Sequence, residues 1–546
     1  MPETEKIREL RESPRIQKNP MSGTVSSAKT GLESSLEEAS FLPSPKQFFA
    51  LLALYLGLHL IFRTLISEAA GIDEAHQLML GQKFQWGYGP HAPLYTWIMI
   101  LFLHVFGWSE FTLTLLRELL LFGTYALTYF TTRELTRSHV CGILAAIALQ
   151  FHPSIVWESQ RELTNSIVAS TMVLATLLSF LRVRPDRWGA WLAFGFFGGL
   201  TLLSKYNAGI FYGAMLLAAV SIPELRSRVV NWRLAMALLV SVAVVAPNAF
   251  WAYAHRDLTL SLTYKFGIHE SMPWFQSVRT GLVNWVVAAA AHVAPLVAIF
   301  VAILWRPVFV ERCLRLHNEK EKFLWRTFLI VFGIGIVVVL FKVTEFKDRW
   351  LQPLFIATPI LVVTAVRDGL NRARLKTLAL LAVAISCVVV VLAPGRLLLT
   401  ERRGQIAVWA RLEKVDRPHR DILNAPFQKF AADLKTRGEE ADFILAGTYW
   451  VGGNLRLWFP DKHIFDPELA HPDINFPGQK CLVVWNAERS EPPDELKRFA
   501  NAFTGSDEKL TPTFIEEKWK YHQNKMMRLG VLVLERKRLQ AEPAQK

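Results

Sequence analysis

The chain has 546 residues, with 61 Lys and Arg against 47 Asp and Glu, a formal net charge of +14 and four cysteines. Hydrophobic residues make up 52% and charged residues 20%, which excludes a disordered chain and leaves ample apolar material to bury. A positive balance points first to nucleic acid or another acidic partner. Its distribution speaks against nucleic acid: residues 1–45 carry net −1, residues 46–394 net +12 and residues 395–546 net +3. The surplus sits in the most apolar part of the chain, where a soluble nucleic-acid binder does not place it.

In chain order, residues 1–45 are polar, Ser-rich and mixed in charge, and read as a disordered cytoplasmic N-terminus. A membrane-spanning helix needs about 20 mostly apolar residues, because lipid offers no partners to its backbone. Eleven candidate runs follow, at 46–66, 111–131, 139–156, 163–182, 188–204, 206–222, 233–254, 279–305, 325–341, 350–366 and 375–394. The first is long and follows a 45-residue lead, so it reads as a retained helix and not a cleaved signal. Residues 93–107 (PLYTWIMILFLHVFG) are also apolar but shorter.

With the N-terminus in the cytoplasm, the inside loops hold 18 basic and 7 acidic residues, and the outside loops 8 and 10. That is the positive-inside pattern. It holds only if 93–107 does not cross, so this segment is expected to lie in the interface or to re-enter. Eleven crossings put residues 395–546 outside. There, helical stretches at 427–437 and 492–503 alternate with the strand-like runs ADFILAG, CLVVWN and LGVLVLER. The expected fold is a mainly α, polytopic membrane protein of about 11 transmembrane helices over 46–394, with a C-terminal periplasmic α/β domain over 395–546. Cys481 is alone in the tail, and Cys141, Cys313 and Cys387 read as packing residues.

Ionisable residues inside a membrane mark transport paths. Here the helices are nearly free of charge, with Arg63 and the Arg117–Glu118 pair as the main exceptions. Polar residues gather instead at the outer helix ends, which favours a site at the outer membrane surface. The Asp73-Glu74 pair follows the first helix and opens a loop that continues to His91. Such a pair can include a general base, or it can be solvated charge at a helix start. Glu158, Arg161 and Asn165 lie at the end of the third helix, either as an ordinary connector or as part of a site. Lys205 and Tyr206 stand at the turn between helices five and six, as part of a site or with the lysine simply snorkelling. Lys342, Lys347 and Arg349 sit on the outer side, against the positive-inside trend. Cations kept there suit an anion such as a lipid phosphate, or else pair with Glu345 and Asp348. The 255–278 loop, with Lys265, could cover a site or belong to an aromatic belt. His91, His255, His269 and His292 raise a divalent metal, but none has zinc-type spacing, so no cofactor is assigned. No phosphate-binding glycine loop, dinucleotide fingerprint or nucleophile elbow stands in a suitable context.

The order of these features resembles a known family. An Asp-Glu pair follows the first helix. A P-L-x-x-W segment, Phe-Gly and Arg117 come next, then an outer polar segment, a Lys after the fifth helix, and a basic-aromatic-Leu-x-Pro segment before a late helix. This is similar to the multi-spanning glycosyltransferases of the GT-C class. The nearest branch holds the protein O-mannosyltransferase-like enzymes, the lipid A aminoarabinose transferases and the rhizobial lipopolysaccharide galacturonosyltransferases. The likeness covers about 46–366, and the tail run FILAGTYWVGGNLRLWFPDKHIF looks like that branch's periplasmic domain.

The resemblance implies an enzyme that takes a sugar from a polyprenyl-phosphate donor, with inversion, and gives it to lipopolysaccharide, lipid A or another envelope glycan. It implies membrane lipids as surroundings, the bacterial inner membrane as location, Asp73 as base and Glu74 as its support. Lys205, Lys347 and Arg349, with Lys342 as a further addition, would meet the phosphate. Two departures stand out. The aminoarabinose branch carries an acidic residue at the place of His91 and an Asp at the place of Asn165, which puts a carried-over metal site in doubt. A phosphate acceptor would need no base, and Asp73 would then orient it. A protein O-glycosyltransferase of the same fold and a flippase for a lipid-linked substrate are the competing readings.

Overall fold

A computed structural model of the chain describes residues 41–161, 164–184, 186–268, 270–304, 318–402, 422–438, 441–467, 478–488, 491–505, 511–522 and 524–536. Most of the expected disordered N-terminus lies outside these residues, as do Glu162, His269 and Cys313.

Helix α1 (Pro45–Ile66) starts where its sequence says it should. Ser44 and Gln47 exchange the two bonds of a capping box and Pro45 occupies the first turn. Among the described residues, seven helices are long and apolar enough to cross a membrane, or eight if the bent pair His139–Phe151 and Pro153–Gln160 counts as one span. The chain is therefore a multi-pass membrane protein. Four of the eleven expected runs do not form straight apolar spans. Residues 139–160 turn through 79° at a break. Trp188–Ser204 and Tyr206–Ser221 are apolar but short. Glu110–Thr136 is long, but its Arg, Glu, Thr and Tyr residues keep it too polar to qualify. The segment expected not to cross forms Leu94–Phe106, 13 residues. Its rise of about 20 Å is shorter than the ~30 Å hydrocarbon core.

Helix α2 (Ile72–Leu80) lies between α1 and the Leu94–Phe106 helix, which we call α3. It is tied to α1 and to α4 (Glu110–Thr136) by charge. Arg63 on α1 reaches Glu110 at 2.6 Å and Glu74 at 3.5 Å. Arg117 on α4 reaches Glu74 at 3.0 Å and Glu118 at 3.2 Å. All five residues are between 2% and 8% exposed. The charges noticed inside the helices thus form one buried network in place of a transport path. Buried charges persist only when paired and hydrogen-bonded.

The C-terminal part forms a five-stranded sheet with β1 (Phe443–Ala446), β2 (His463–Phe465), β3 (Lys480–Asn486), β4 (Thr513–Lys518) and β5 (Met526–Glu535) in the order β2-β1-β3-β5-β4. The β1 pairings with β2 and β3 are parallel, and those of β5 with β3 and β4 are antiparallel. The β1–β2 crossover carries the helix Tyr449–Arg456. Strands β1 and β3 are buried on both faces, as their unbroken apolar runs require.

This sheet is not a detached module, since Ser44–Lys546 form one compact unit. Several bonds tie the segment before and after α2 to it. Ser67 donates to the Leu423 carbonyl, Tyr521 donates to the Ile66 carbonyl at 3.0 Å, and Lys520 pairs with Glu68 at 2.6 Å. Gln82 donates to the Ile464 carbonyl at 2.7 Å and accepts from its N–H at 2.8 Å.

Replacing Arg117 by Ala leaves Glu74 and Glu118 buried without their main partner. The expected loss is about 3–5 kcal/mol, read as a lower unfolding temperature of the detergent-solubilised protein. An unchanged transition would contradict the network.

Candidate functional site

Successive residues on a helix point about 100° apart. In α2 that separates Asp73 from Glu74. Glu74 turns inward, where one oxygen accepts from Arg117 and the other from the Gly71 N–H at 2.8 Å and faces Arg63. Both its oxygens are occupied, so Glu74 seats the helix that carries Asp73. Asp73 turns outward, half-buried, with its Oδ1 3.6 Å from Nη1 of Arg349.

Arg349 stands in the first turn of the helix Asp348–Phe355. Lys205 follows the helix Trp188–Ser204, and its ammonium donates to Ser166 Oγ at 2.8 Å and to the Arg349 carbonyl. Ser166 Oγ donates to the same carbonyl at 2.9 Å, and Asn207 donates to the Trp350 carbonyl at 2.7 Å. Three side chains from two other elements thus hold the backbone on which Arg349 sits. Burial pushes the Lys205 ammonium down to about 7, and Arg349 adds to the shift while Asp73 opposes it.

Lys347 lies 5.8 Å from the Trp350 ring, in the same segment. Lys342 has a left-handed backbone (φ +65°) and its ammonium faces the Glu270 carbonyl at 3.4 Å. No contact ties it to the Asp73 cluster. Lys265 is brought in by the loop beside it. The Phe266 carbonyl accepts from the N–H groups of Thr344 and Glu345 at 3.1 and 3.2 Å, and the Phe266 ring packs edge-on to Trp350 at 5.5 Å.

Two histidines complete the cluster. The His76 ring lies 4.8 Å from that of His91 and 5.0 Å from Tyr449, both edge-on. Burial, then His76, Lys265, Arg349 and Lys205 in turn, hold the His91 imidazole down at about 3. Burial and Lys265 lower His76 against the opposing pull of Asp73. Both rings are neutral at neutral pH, so each offers one donor and one acceptor.

The structure therefore brings together Asp73, His91, Lys205, Lys265 and Arg349, with Lys347 beside them. Other expected residues bond elsewhere. Glu158 and Arg161 pair with each other at 3.4 Å, partly exposed. Asn165 accepts from Gln77 of α2 at 3.4 Å. Tyr206 donates to Asn248 at 3.4 Å. Among the described residues no group of three His, Cys, Asp or Glu could hold a metal ion. Sequence reading had assigned no role to His76, Ser166, Asn207 or Tyr449. His76 could have been found, since it stands three residues after Asp73 on the same helix face. Tyr449 carried no such signal.

Tyr449 opens the crossover helix, α16 (Tyr449–Arg456), which lies directly on α2. A Cβ on Gly453 would stand 2.1 Å from the Ala75 carbonyl oxygen, and one on Gly452 2.8 Å from the Met79 sulfur. The two glycines permit the approach. Asn454 closes it, accepting from the Ala70 N–H at 2.7 Å and donating to the Ala70 carbonyl at 3.2 Å.

The chain is similar to several known proteins. A family described as dolichyl-phosphate-mannose-protein mannosyltransferase matches residues 90–251. The lipopolysaccharide core galacturonosyltransferase RgtA of Rhizobium johnstonii is 28% identical over 473 residues, 84% of this chain and 90% of that protein. RgtB of the same organism, which bears the same description, is 28% identical over 458 residues, 82% of this chain and 89% of its own. The crystal structure of ArnT from Cupriavidus metallidurans bound to undecaprenyl phosphate shares the fold, with a TM-score of 0.55 and 15% identity over 89% of this chain and 98% of that one. The chain is thus a multi-pass membrane protein with a GT-C-like fold, similar over most of its length to glycosyltransferases.

Two outcomes follow from the geometry. Gly453→Ala must displace α2, and a displacement near 1 Å costs about a hundredfold in turnover. The donor KM stays near its original value, because Lys205 and Arg349 sit on other elements; unaltered turnover would contradict the seating of α2. Lys205 is charged below about pH 7 and neutral above it. Binding of a short prenyl phosphate is therefore expected to weaken as pH rises through neutrality. Lys205→Arg, whose guanidinium stays charged, should flatten that profile.

Proposed function

We propose that the protein transfers a sugar, with inversion, from a polyprenyl-phosphate donor to lipopolysaccharide or a related envelope glycolipid, at the periplasmic face of the bacterial inner membrane. The observation that carries this reading is the Asp73 carboxylate placed 3.6 Å from Arg349, beside Lys205 and under one hydrogen-bonded backbone. An acid and two cations at one outer helix end are what the reaction requires. The loop charges support an orientation with 1–45 in the cytoplasm, 46–394 as the membrane part and 395–546 in the periplasm.

In this reading the donor phosphate binds to Arg349 and Lys205, with Lys347 as a further cation. Its arrival draws Arg349 away from Asp73 and frees the carboxylate. The acceptor hydroxyl then attacks the anomeric carbon from the face opposite the phosphate. The new C–O bond forms as the old one breaks, the phosphate oxygen keeps the electron pair, and the hydroxyl proton passes to Asp73. Lys205 and Arg349 stabilise the charge that develops on the leaving phosphate. The names of RgtA and RgtB support a lipopolysaccharide core acceptor and a galacturonic acid donor. The undecaprenyl phosphate named with the ArnT structure supports the lipid carrier. A protein acceptor is the second reading, favoured by the family description over 90–251.

Asp73→Asn is expected to lower transfer in isolated membranes by about 10²- to 10⁴-fold while donor binding persists. Full activity in that variant would remove Asp73 as the base. Mass spectrometry of lipid A and core glycan from a deletion strain should show a missing hexuronic acid. A missing pentose or hexose would replace the sugar named here, and unchanged envelope lipids would move the acceptor to protein.

A further inference from the structure

A second concave site lies at the other end of α16. It is a cleft of about 640 Å³ between the α3–α4 corner and the C-terminal sheet domain, lined among others by Trp108, Lys435, Trp458, Phe459, Asp461 and Lys462. That volume is within the usual range of about 300–1,000 Å³ for ligand sites. Its walls are fixed by Arg456, which is 7% exposed. The Arg456 guanidinium stacks 4.5 Å from the Trp108 ring and donates to the carbonyls of Phe459 at 3.2 Å and Lys462 at 2.6 Å. One buried side chain thus sets both the aromatic floor and the turn that carries Phe459, Asp461 and Lys462. No group of the Asp73 cluster lines this cleft.

The chemistry of the lining selects an occupant. Indole faces pack against the C–H faces of pyranose rings, and a few convergent polar groups orient the hydroxyls. Lys435 and Lys462 outnumber Asp461, which favours a sugar that carries carboxylate or phosphate groups. The cleft also opens beside a lipid-facing helix: Leu101, Val105 and Phe106 of α3 are exposed and lead to Trp108. Its position relative to the Asp73 cluster is set by α16. The first residue of that helix touches His76, and its eight residues rise about 12 Å towards the cleft. A single sugar does not bridge that distance, whereas an oligosaccharide does.

We infer that this cleft anchors the acceptor: it holds inner sugars of an anionic, lipid-attached oligosaccharide while a sugar further along presents its hydroxyl to Asp73. The inference rests on the function proposed above and names the acceptor subsite for it.

The test uses the full-length protein in nanodiscs and, as probe, the acidic core oligosaccharide released from lipopolysaccharide by mild acid. Binding is read by tryptophan fluorescence without donor, and transfer is read with intact lipopolysaccharide as acceptor. Trp458→Ala and Lys435→Glu are each expected to weaken probe binding about three- to tenfold and to raise the acceptor KM similarly, with the donor KM unchanged. Lys435 is exposed, so its substitution reports on the cleft even where Trp458→Ala impairs folding. Equal probe affinity in the wild type and in both folded variants overturns the inference. So does a rise in donor KM in place of acceptor KM, or binding that requires the lipid portion and ignores both substitutions. A wild-type protein that binds the probe in a variant-sensitive way but transfers nothing to lipopolysaccharide supports the cleft and overturns the proposed reaction.

Discussion

Charge cannot be left unpaired in an apolar surrounding, and that constraint positions everything around Asp73. Arg63 and Arg117 stand on two long helices, and Glu74 is the group they share. Removing one partner of such a set costs several kcal/mol, whereas replacing the whole set by apolar residues can be neutral. The network therefore does less for overall stability than for register. It allows α2 one rotation only. With Glu74 facing inward, the helix period delivers Asp73 and His76 to the opposite side, toward Arg349, His91 and Tyr449.

The site that results mixes signs at close range. In the resting protein Asp73 and Arg349 face each other, so an acid and a cation balance one another at the partly exposed rim of the site without a ligand. Lys205 is held by a hydroxyl and a carbonyl and by no carboxylate within bonding distance. Its charge is correspondingly costly, and an arriving anion supplies the counter-charge that burial withholds. Binding and protonation are thus coupled at one residue.

Much of this was legible in the chain. Asp73, Lys205 and Arg349 stood out because each broke a local rule: charge at the end of an apolar run, on the side where cations are scarce. Glu74 stands beside Asp73 in the chain, but the helix sends the two side chains to different faces, and that separation shows only once the helix is placed. Glu158 and Arg161 were polar residues at an outer helix end that simply satisfy one another. Side-chain polarity, as in Glu110–Thr136, and a break, as at His152, interrupt two of the expected runs in ways their overall hydropathy did not reveal. Tyr449 was out of reach, since no local pattern joins it to His76. The only trace was the Gly452-Gly453 pair, whose need for bare backbone shows only once the opposing helix is in place.

Asn454 and Ala70 are 384 positions apart, yet their two hydrogen bonds hold the start of the helix that carries Asp73. Biosynthesis delivers those two ends at very different times. The membrane helices and the cations can be inserted early, but α2 has no seat until α16 has been made and has reached the same side of the bilayer. The seat of the helix that carries Asp73 is therefore completed late, once residues 449–456 have been made and have met a segment synthesised long before them.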